Sequence, residues 1–517
     1  MVRGLFVAVL LALLAAGGCG PRDGSETLTV LAGSELEDMS PLLERIERAT
    51  GVKLELHYTG TLDAAERLDR GEAFDLAWLS QAKYLRLLDR AGQRVVAQDK
   101  TMLSPVVLGV KESDAQRWGW VGNPGLSWRE IAAKAASGAL RFAMTDPSAS
   151  NSGFSALLGV AAAVSGAADA LRPEAVDPSA LTGFFQGQRL TAGSSGWLVD
   201  AYVQAEDQLN GIINYESVLL RLNDSGRLKE RLYLVYPKEG IVTADYPLIL
   251  LDPARRPAYQ RLVSYLRSPQ FQQAMMEKTL RRPVIPQVKP GPRFPTALLV
   301  ELPFPDHRAT IDQLLFAYFD RYRRPSHVFF ALDVSGSMAG ERLAALQSAL
   351  GNLTGLDTSL TGRFARFRSR EKVTLIPFAT EVHEPRTFLI DDPSPDGAAM
   401  RAIRAYAQGL AAEGSTAIYD AVLAAYRQAI AAQRTEPDRF YSIVLMTDGE
   451  RTAGLDQDEF LAALAPLQRE APIKVFTILF GEASQAEMER LSTVTGGREF
   501  DGRHSLAQAF KAIRGYQ

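Results

Sequence analysis

Residues 327–350 read HVFFALDVSGSMAGERLAALQSAL, and this stretch decides the fold of the C-terminal part of the chain. Its opening, VFFAL, is apolar without alternation, as expected of a strand covered on both faces. The strand delivers Asp333, Ser335 and Ser337, and a helix with an Ala/Leu face begins near Gly340. A strand that passes through a tight polar loop into a helix is the start of a layered α/β unit, because parallel strands need crossover connections. The i, i+2, i+4 spacing lets the loop turn three side-chain oxygens toward one point. Magnesium takes six hard oxygen ligands and keeps waters on the positions the protein leaves open, so one carboxylate with two hydroxyls is suitable chemistry.

Two later segments extend this set. GSTAIYDAVLAAY (414–426) places Thr416 at the start of a helix, and YSIVLMTDGE (441–450) is a buried-type strand ending at Asp448. In a doubly wound sheet both meet the first strand at its C-terminal edge. Further strands are expected in EKVTLIPFA (371–379) and IKVFTILFG (473–481). Asp333, Ser335, Ser337, Thr416 and Asp448 together resemble the metal-ion-dependent adhesion site (MIDAS) of von Willebrand factor A (VWA) domains, with its D-x-S-x-S, T and D pattern. The resemblance covers 327–517. It implies a doubly wound, Rossmann-like VWA domain and a divalent cation, Mg²⁺ first. It also implies an open coordination position for the carboxylate of a protein partner, with Asp448 reaching the ion through water. Two carboxylates roughly neutralise a dication, and hydroxyl ligands keep it electrophilic toward an incoming acid.

Upstream, apolar runs alternate with helical patterns. TLTVLAG (27–33) reads as a strand, PLLERIERAT (41–50) as a helix stopped by Gly51, and VKLELHY (52–58) as a strand. A helix near 62–70, a strand in FDLAWLS (74–80) and a helix near 81–91 continue the unit, which predicts a mostly parallel sheet. This order resembles the first lobe of a periplasmic solute-binding protein. RFAMTDPSASNSGFSALLG (141–159) is similar to the segment that opens the second lobe, and YPKEGIVTADYPLILL (236–251) to the return crossing. Ser34, Thr59 and Ser80 fall at strand C-termini, where open α/β sheets place ligands. Ser148, Ser150, Asn151 and Ser152 precede an apolar helix, where hydroxyls and backbone N–H groups either cap the helix or face an anion. Trp197, Tyr215 and Glu216 are candidates for the cleft wall or for packing. The expected ligand is an oxyanion or another small polar solute.

The remaining signals bound these readings. At roughly 150 residues per domain, 517 residues make about three compact units. Hydrophobic residues at 46% and charged residues at 23% exclude a disordered chain and a polytopic membrane protein. A formal net charge of −3 argues against a nucleic-acid partner. The single cysteine, Cys19, excludes an intramolecular disulfide framework and a cysteine-based zinc site. Residues 1–18, with Arg3 ahead of a short apolar run and Gly17 and Gly18 at the end, read as an export signal peptide. With Cys19 they resemble a bacterial lipoprotein lipobox, which implies cleavage before Cys19 and acylation there, palmitate included. A lipid anchor of that kind places the chain on the bacterial cell envelope, at its periplasmic or extracellular face, with residues 19–26 as tether.

Phosphate-loop, H-E-x-x-H and G-x-S-x-G motifs are absent, and the histidines at 57, 307, 327, 383 and 504 are too scattered to form a ligand set. RFARFRSR (363–370) reads as a solvated loop and DDPSPDG (391–397) as a turn-rich connection. The organisation is thus α/β throughout, with a two-lobed solute-binding-like module over 27–322 and a VWA domain over 327–517. The expected function is binding, with no catalytic residues: recognition of an acidic protein partner through Mg²⁺, with the first module sensing a ligand or docking. The alternative is the substrate-binding component of an ABC-type transport system.

Overall fold

The computed structural model describes residues 25–166, 171–296 and 299–516. The signal peptide, Cys19 and most of the tether lie outside the described residues. No helix among those described is long and apolar enough to cross a membrane.

Two sheets build the first unit. In the first lobe the strand order is 52–59, 26–33, 76–78, 247–250, 97–100. The first three strands run parallel, and Pro247–Leu250 pairs antiparallel to both of its neighbours. The expected helix over 41–50 forms as Ser40–Thr50, closed by Gly51 at φ 67, a left-handed conformation that costs glycine little. The second lobe is mixed. Phe142–Thr145 runs parallel to Gln188–Ala192 and Gly211–Tyr215, while Ser104–Lys111 is antiparallel to Gly211–Tyr215 and Leu232–Val235. A mostly parallel sheet is therefore true of part of each lobe only. The chain crosses back where expected: Thr243–Ala244 still pairs in the second lobe, and Pro247–Leu250 pairs in the first. Tyr246 stands between them at φ 38, fully buried, with the Arg281 guanidinium 4.7 Å from its ring centroid.

The expected helix near 81–91 is replaced by a short 3₁₀ turn, Leu85–Leu87, and a single helical stretch, Asp89–Gln93. Gln81 withdraws its side chain to accept a hydrogen bond from the Tyr84 N–H, which favours a turn over a continuous helix.

The second unit is a single sheet in the order 386–389, 372–378, 326–333, 440–447, 474–479, 499–501. All pairings are parallel except that of the Arg386–Leu389 edge strand. All eight residues of Ser326–Asp333 are buried, as its unbroken apolar run requires. Period-two alternation sends Val328, Phe330 and Leu332 to one face, under Leu346, Leu350 and Phe510. Phe329 and Ala331 go to the other, under Ile418, Val422 and Tyr426.

The basic run 363–370 is not a solvated loop. Phe364 and Phe367 are buried, Arg368 is 1% exposed, and its guanidinium is bonded to Asp320 while lying 5.0 Å from the Phe316 ring centroid. Alternating aromatic and cationic residues here serve the junction, because Asp320 and Phe316 belong to the segment that leads from the first unit into Ser326. Beside them Glu371 accepts charged hydrogen bonds of 2.6 Å from both Arg323 and Arg514. Burial pushes the Glu371 carboxyl up, but the two guanidinium groups outweigh it and hold it below the ordinary range.

Candidate metal centre and interlobe cleft

The Ser326–Asp333 strand lies at the topological switch point of its sheet, since the chain moves next to Lys372–Phe378 on one side and later to Phe440–Thr447 on the other. Side chains at the C-terminal end of such a strand project into the crevice between the diverging connections. Asp333 is fully buried there. Its Oδ1 accepts from the Ser335 N–H at 2.8 Å and its Oδ2 from the Thr447 hydroxyl at 2.6 Å. Ser335 and Ser337 stand with their hydroxyl oxygens 3.1 Å apart, and Ser337 donates to Asp448 Oδ1 at 2.7 Å. Thr416 arrives on the loop before the Ile418–Thr435 helix. That loop is tied to the first by Gly336 N–H to Gly414 C=O at 2.9 Å and Glu413 N–H to Val334 C=O at 2.8 Å.

The five sequence-predicted residues thus meet at one sheet edge. Asp333, Ser335, Thr416 and Asp448 are buried, while Ser337 faces solvent. Burial, joined by the charge of Asp448, pushes the Asp333 carboxyl up, against the hydrogen bonds from Thr447 and Ser335 that pull it down. Two carboxylates in mutual repulsion, three hydroxyls and one solvent-facing side are a donor set that suits a hard divalent cation. Among the described residues no group of three or more His, Cys, Asp or Glu side chains is placed to hold a metal, so an ion here would draw on the hydroxyl donors as well. Two side chains bonded to these carboxylates are not among the residues expected from sequence, Thr447 and Arg342. Arg342, in the first turn of the Glu341–Gly351 helix, donates from Nη1 to Asp448 Oδ2 at 2.6 Å.

The cleft candidates divide. Ser34, Thr59, Ser148 and Trp197 line a cleft of about 1450 Å³ between the lobes, which the last helix of the second unit also borders. Ser80, Ser150, Asn151, Ser152, Tyr215 and Glu216 do not: all six are buried, and the expectation that they face the cleft is corrected by their bonds. Ser152 shares hydrogen bonds of 2.8 Å with Thr145 and Ser195, and Ser150 lies 3.3 Å from Ser152. Asn151 takes Thr61 on its oxygen at 3.2 Å and donates to the Tyr215 hydroxyl at 3.0 Å, which donates on to Glu35 at 3.3 Å. Glu216 is held by Arg282 through two bonds of 2.7 Å. Ser80 instead gives its backbone carbonyl to the Asp245 N–H at 3.0 Å.

The start of the Asn151–Val164 helix is therefore filled from within. A Cβ on Gly60 would stand 2.1 Å from the Ala149 carbonyl oxygen, so the lobes touch backbone to backbone at this point. Glu35 also lines the cleft, and burial pushes its carboxyl up. Trp197 serves the contact with the second unit. Its ring meets Tyr516 at 4.9 Å edge to face, and Lys474 Nζ lies 4.3 Å from its centroid.

Residues 28–279 match the family model of bacterial extracellular solute-binding proteins, and residues 327–512 match that of the von Willebrand factor type A domain. Over 177 residues the chain is 29% identical to inter-alpha-trypsin inhibitor heavy chain H4 of Homo sapiens, covering 34% of this chain and 18% of that protein. Over 191 residues it is 27% identical to the uncharacterized protein YfbK of Escherichia coli K12, covering 36% and 30%. The chain thus spans less than a third of the length of these relatives. Among solved structures, the periplasmic binding protein AfuA from Actinobacillus pleuropneumoniae, with fructose-6-phosphate bound, is similar at 14% identity and a TM-score of 0.44, over 58% of this chain and 99% of that one. The sulfate-binding protein SubI from Mycobacterium tuberculosis is similar at 17% identity and a TM-score of 0.40, over 56% and 96%.

Proposed function

From a chain that joins a solute-binding domain to a von Willebrand factor type A domain, we propose a protein that binds and does not catalyse, capturing an acidic protein partner through a divalent ion. Asp333, Ser335, Ser337 and Thr416 would hold Mg²⁺, with Asp448 directly or through water. The ion supplies a Lewis-acidic point that one carboxylate oxygen of the partner can enter. Asp333 anchors the loop through Thr447 and the Ser335 N–H, Ser337 keeps the solvent side polar, and the Gly336–Gly414 hydrogen bond holds Thr416 in register. The observation that carries this reading is the convergence of three distant segments on one sheet edge, two of them with oxygens already linked, Ser335 to Ser337 to Asp448, and the third tied in by Gly336 N–H to Gly414 C=O.

The lobed module serves in this reading as a docking body carried on the cell envelope, anchored at Cys19. A transport role is less well supported, because six of the polar and aromatic groups expected to hold a solute are buried and bonded within the protein instead.

The test is capture from envelope extract with the full chain as bait. A protein retained with Mg²⁺, released by chelator and competed by acidic peptide is the expected result. Capture indifferent to chelator, or a small solute co-purifying with the chain and no metal-dependent capture, would contradict it and favour transport.

A further inference from the structure

Arg342, a cation, supplies no ligand oxygen to the metal centre yet bonds to one of its acids. It sits in the first turn of its helix, the end at which the backbone dipole disfavours a cation, so its placement needs a local reason. That reason is Asp448, whose side chain is fully buried and whose Oδ2 receives Arg342 Nη1 at 2.6 Å. The other oxygen, Oδ1, takes the Ser337 hydroxyl. A buried carboxylate is costly without a counter-charge. The neighbourhood is shaped for the pair: a Cβ on Gly481 would stand 3.0 Å from Asp448 Cβ and 3.3 Å from Arg342 Cζ. On the outer side Glu482, 88% exposed, places Oε1 3.8 Å from Arg342 Nη2. The guanidinium therefore lies between an inner acid that belongs to the metal centre and an outer acid that does not.

We propose that Arg342 is the resident counter-cation of the metal centre, holding Asp448 in the metal-free protein and competing with the divalent ion for it. When the ion binds, Arg342 yields Asp448 and moves toward Glu482, since two positive charges cannot share one carboxylate without repulsion. The inference rests on the metal reading above and adds that the affinity of the site is set partly by a residue that never ligates the ion.

The experiment is calorimetric titration of Mg²⁺ into the metal-free full chain and two variants, with melting temperatures read on the same samples. Removal of the competing charge in Arg342→Gln is expected to tighten Mg²⁺ binding about fivefold or more, while Arg342→Lys, which keeps the charge, stays within about twofold of the parent. Metal-free Arg342→Gln is expected to melt lower than the parent and to gain more from Mg²⁺, because the stabilisation by a ligand that binds only the folded state grows with the logarithm of its affinity. Unchanged or weaker Mg²⁺ binding in Arg342→Gln overturns the inference and leaves the metal reading standing. No binding by the parent chain removes the metal reading and this inference with it.

Discussion

His327 begins the central strand's apolar run, 5% exposed, with its ring 4.2 Å from that of Phe329 and its Nε2 2.9 Å from the Thr374 hydroxyl. Burial, helped by the nearby charges of Lys372 and Arg439, pushes its pKa down to about 4. The folded chain therefore keeps it neutral where the unfolded chain takes up a proton. Stability is whole above the ordinary value near 6.5 and is lost as pH falls from there toward 4, by about 2 kcal/mol at pH 5. Denaturant midpoints at pH 7 and pH 5 check this. The parent is expected to lose more between the two than His327→Gln, and equal losses would refute it. Single residues also show what a sequence can and cannot reveal. Asp333, Ser335 and Ser337 were legible because their spacing and strand context are local. Ser150 and Ser152 were misread because Ser195, which bonds to both, stands more than forty positions away. Arg342 was invisible as a site residue because it stands on a helix and its partner, Asp448, follows a strand distant in sequence.

At the scale of elements, one contact between the lobes is made by two turns. Gly60 precedes the Thr61–Asp69 helix, and Ala149 belongs to the turn before the Asn151–Val164 helix. The lack of a side chain at Gly60 lets the turns meet, and Thr61 to Asn151 adds a hydrogen bond across the gap. Gly60→Val is therefore expected to part the lobes, at a cost of about 1–3 kcal/mol typical of overpacking. A lower urea midpoint together with a larger radius of gyration in solution scattering would bear this out; unchanged values of both would refute it. Strong periodicity made most elements of the first lobe legible, Ser40–Thr50 and Val52–Thr59 among them. The stretch after Ser80 was not, because its Leu-rich pattern suits a helix while the Gln81 side chain accepts from the Tyr84 N–H and diverts the chain into a turn. The mixed pairing of the second lobe was equally hidden, since strand direction follows from distant connections.

At the scale of the whole molecule, a buried ionic knot joins the two units. Glu371 at the start of one strand binds Arg323 from the connecting segment and Arg514 from the C-terminal turn, and Ser326 donates to the same carboxylate at 3.0 Å. Such a knot adds little net stability over apolar packing, but removal of one partner leaves a buried charge and costs about 3–5 kcal/mol, so it specifies the geometry of the junction. The C-terminal turn continues over the second lobe, where a Cβ on Gly515 would stand 2.9 Å from Ala149 Cβ and Tyr516 meets Trp197. Ala149 is thus flanked by Gly60 on one side and Gly515 on the other, which makes one turn the meeting point of all three compact bodies. At the sheet edge that carries Asp333, Ser337 faces solvent. The central claim is that this edge binds a divalent ion, and calorimetric titration of Mg²⁺ into the metal-free full chain and its Asp333→Ala variant tests it most directly. One site in the parent, lost in a variant that still melts cooperatively, is the expected result; equal Mg²⁺ affinity in the two proteins would contradict it.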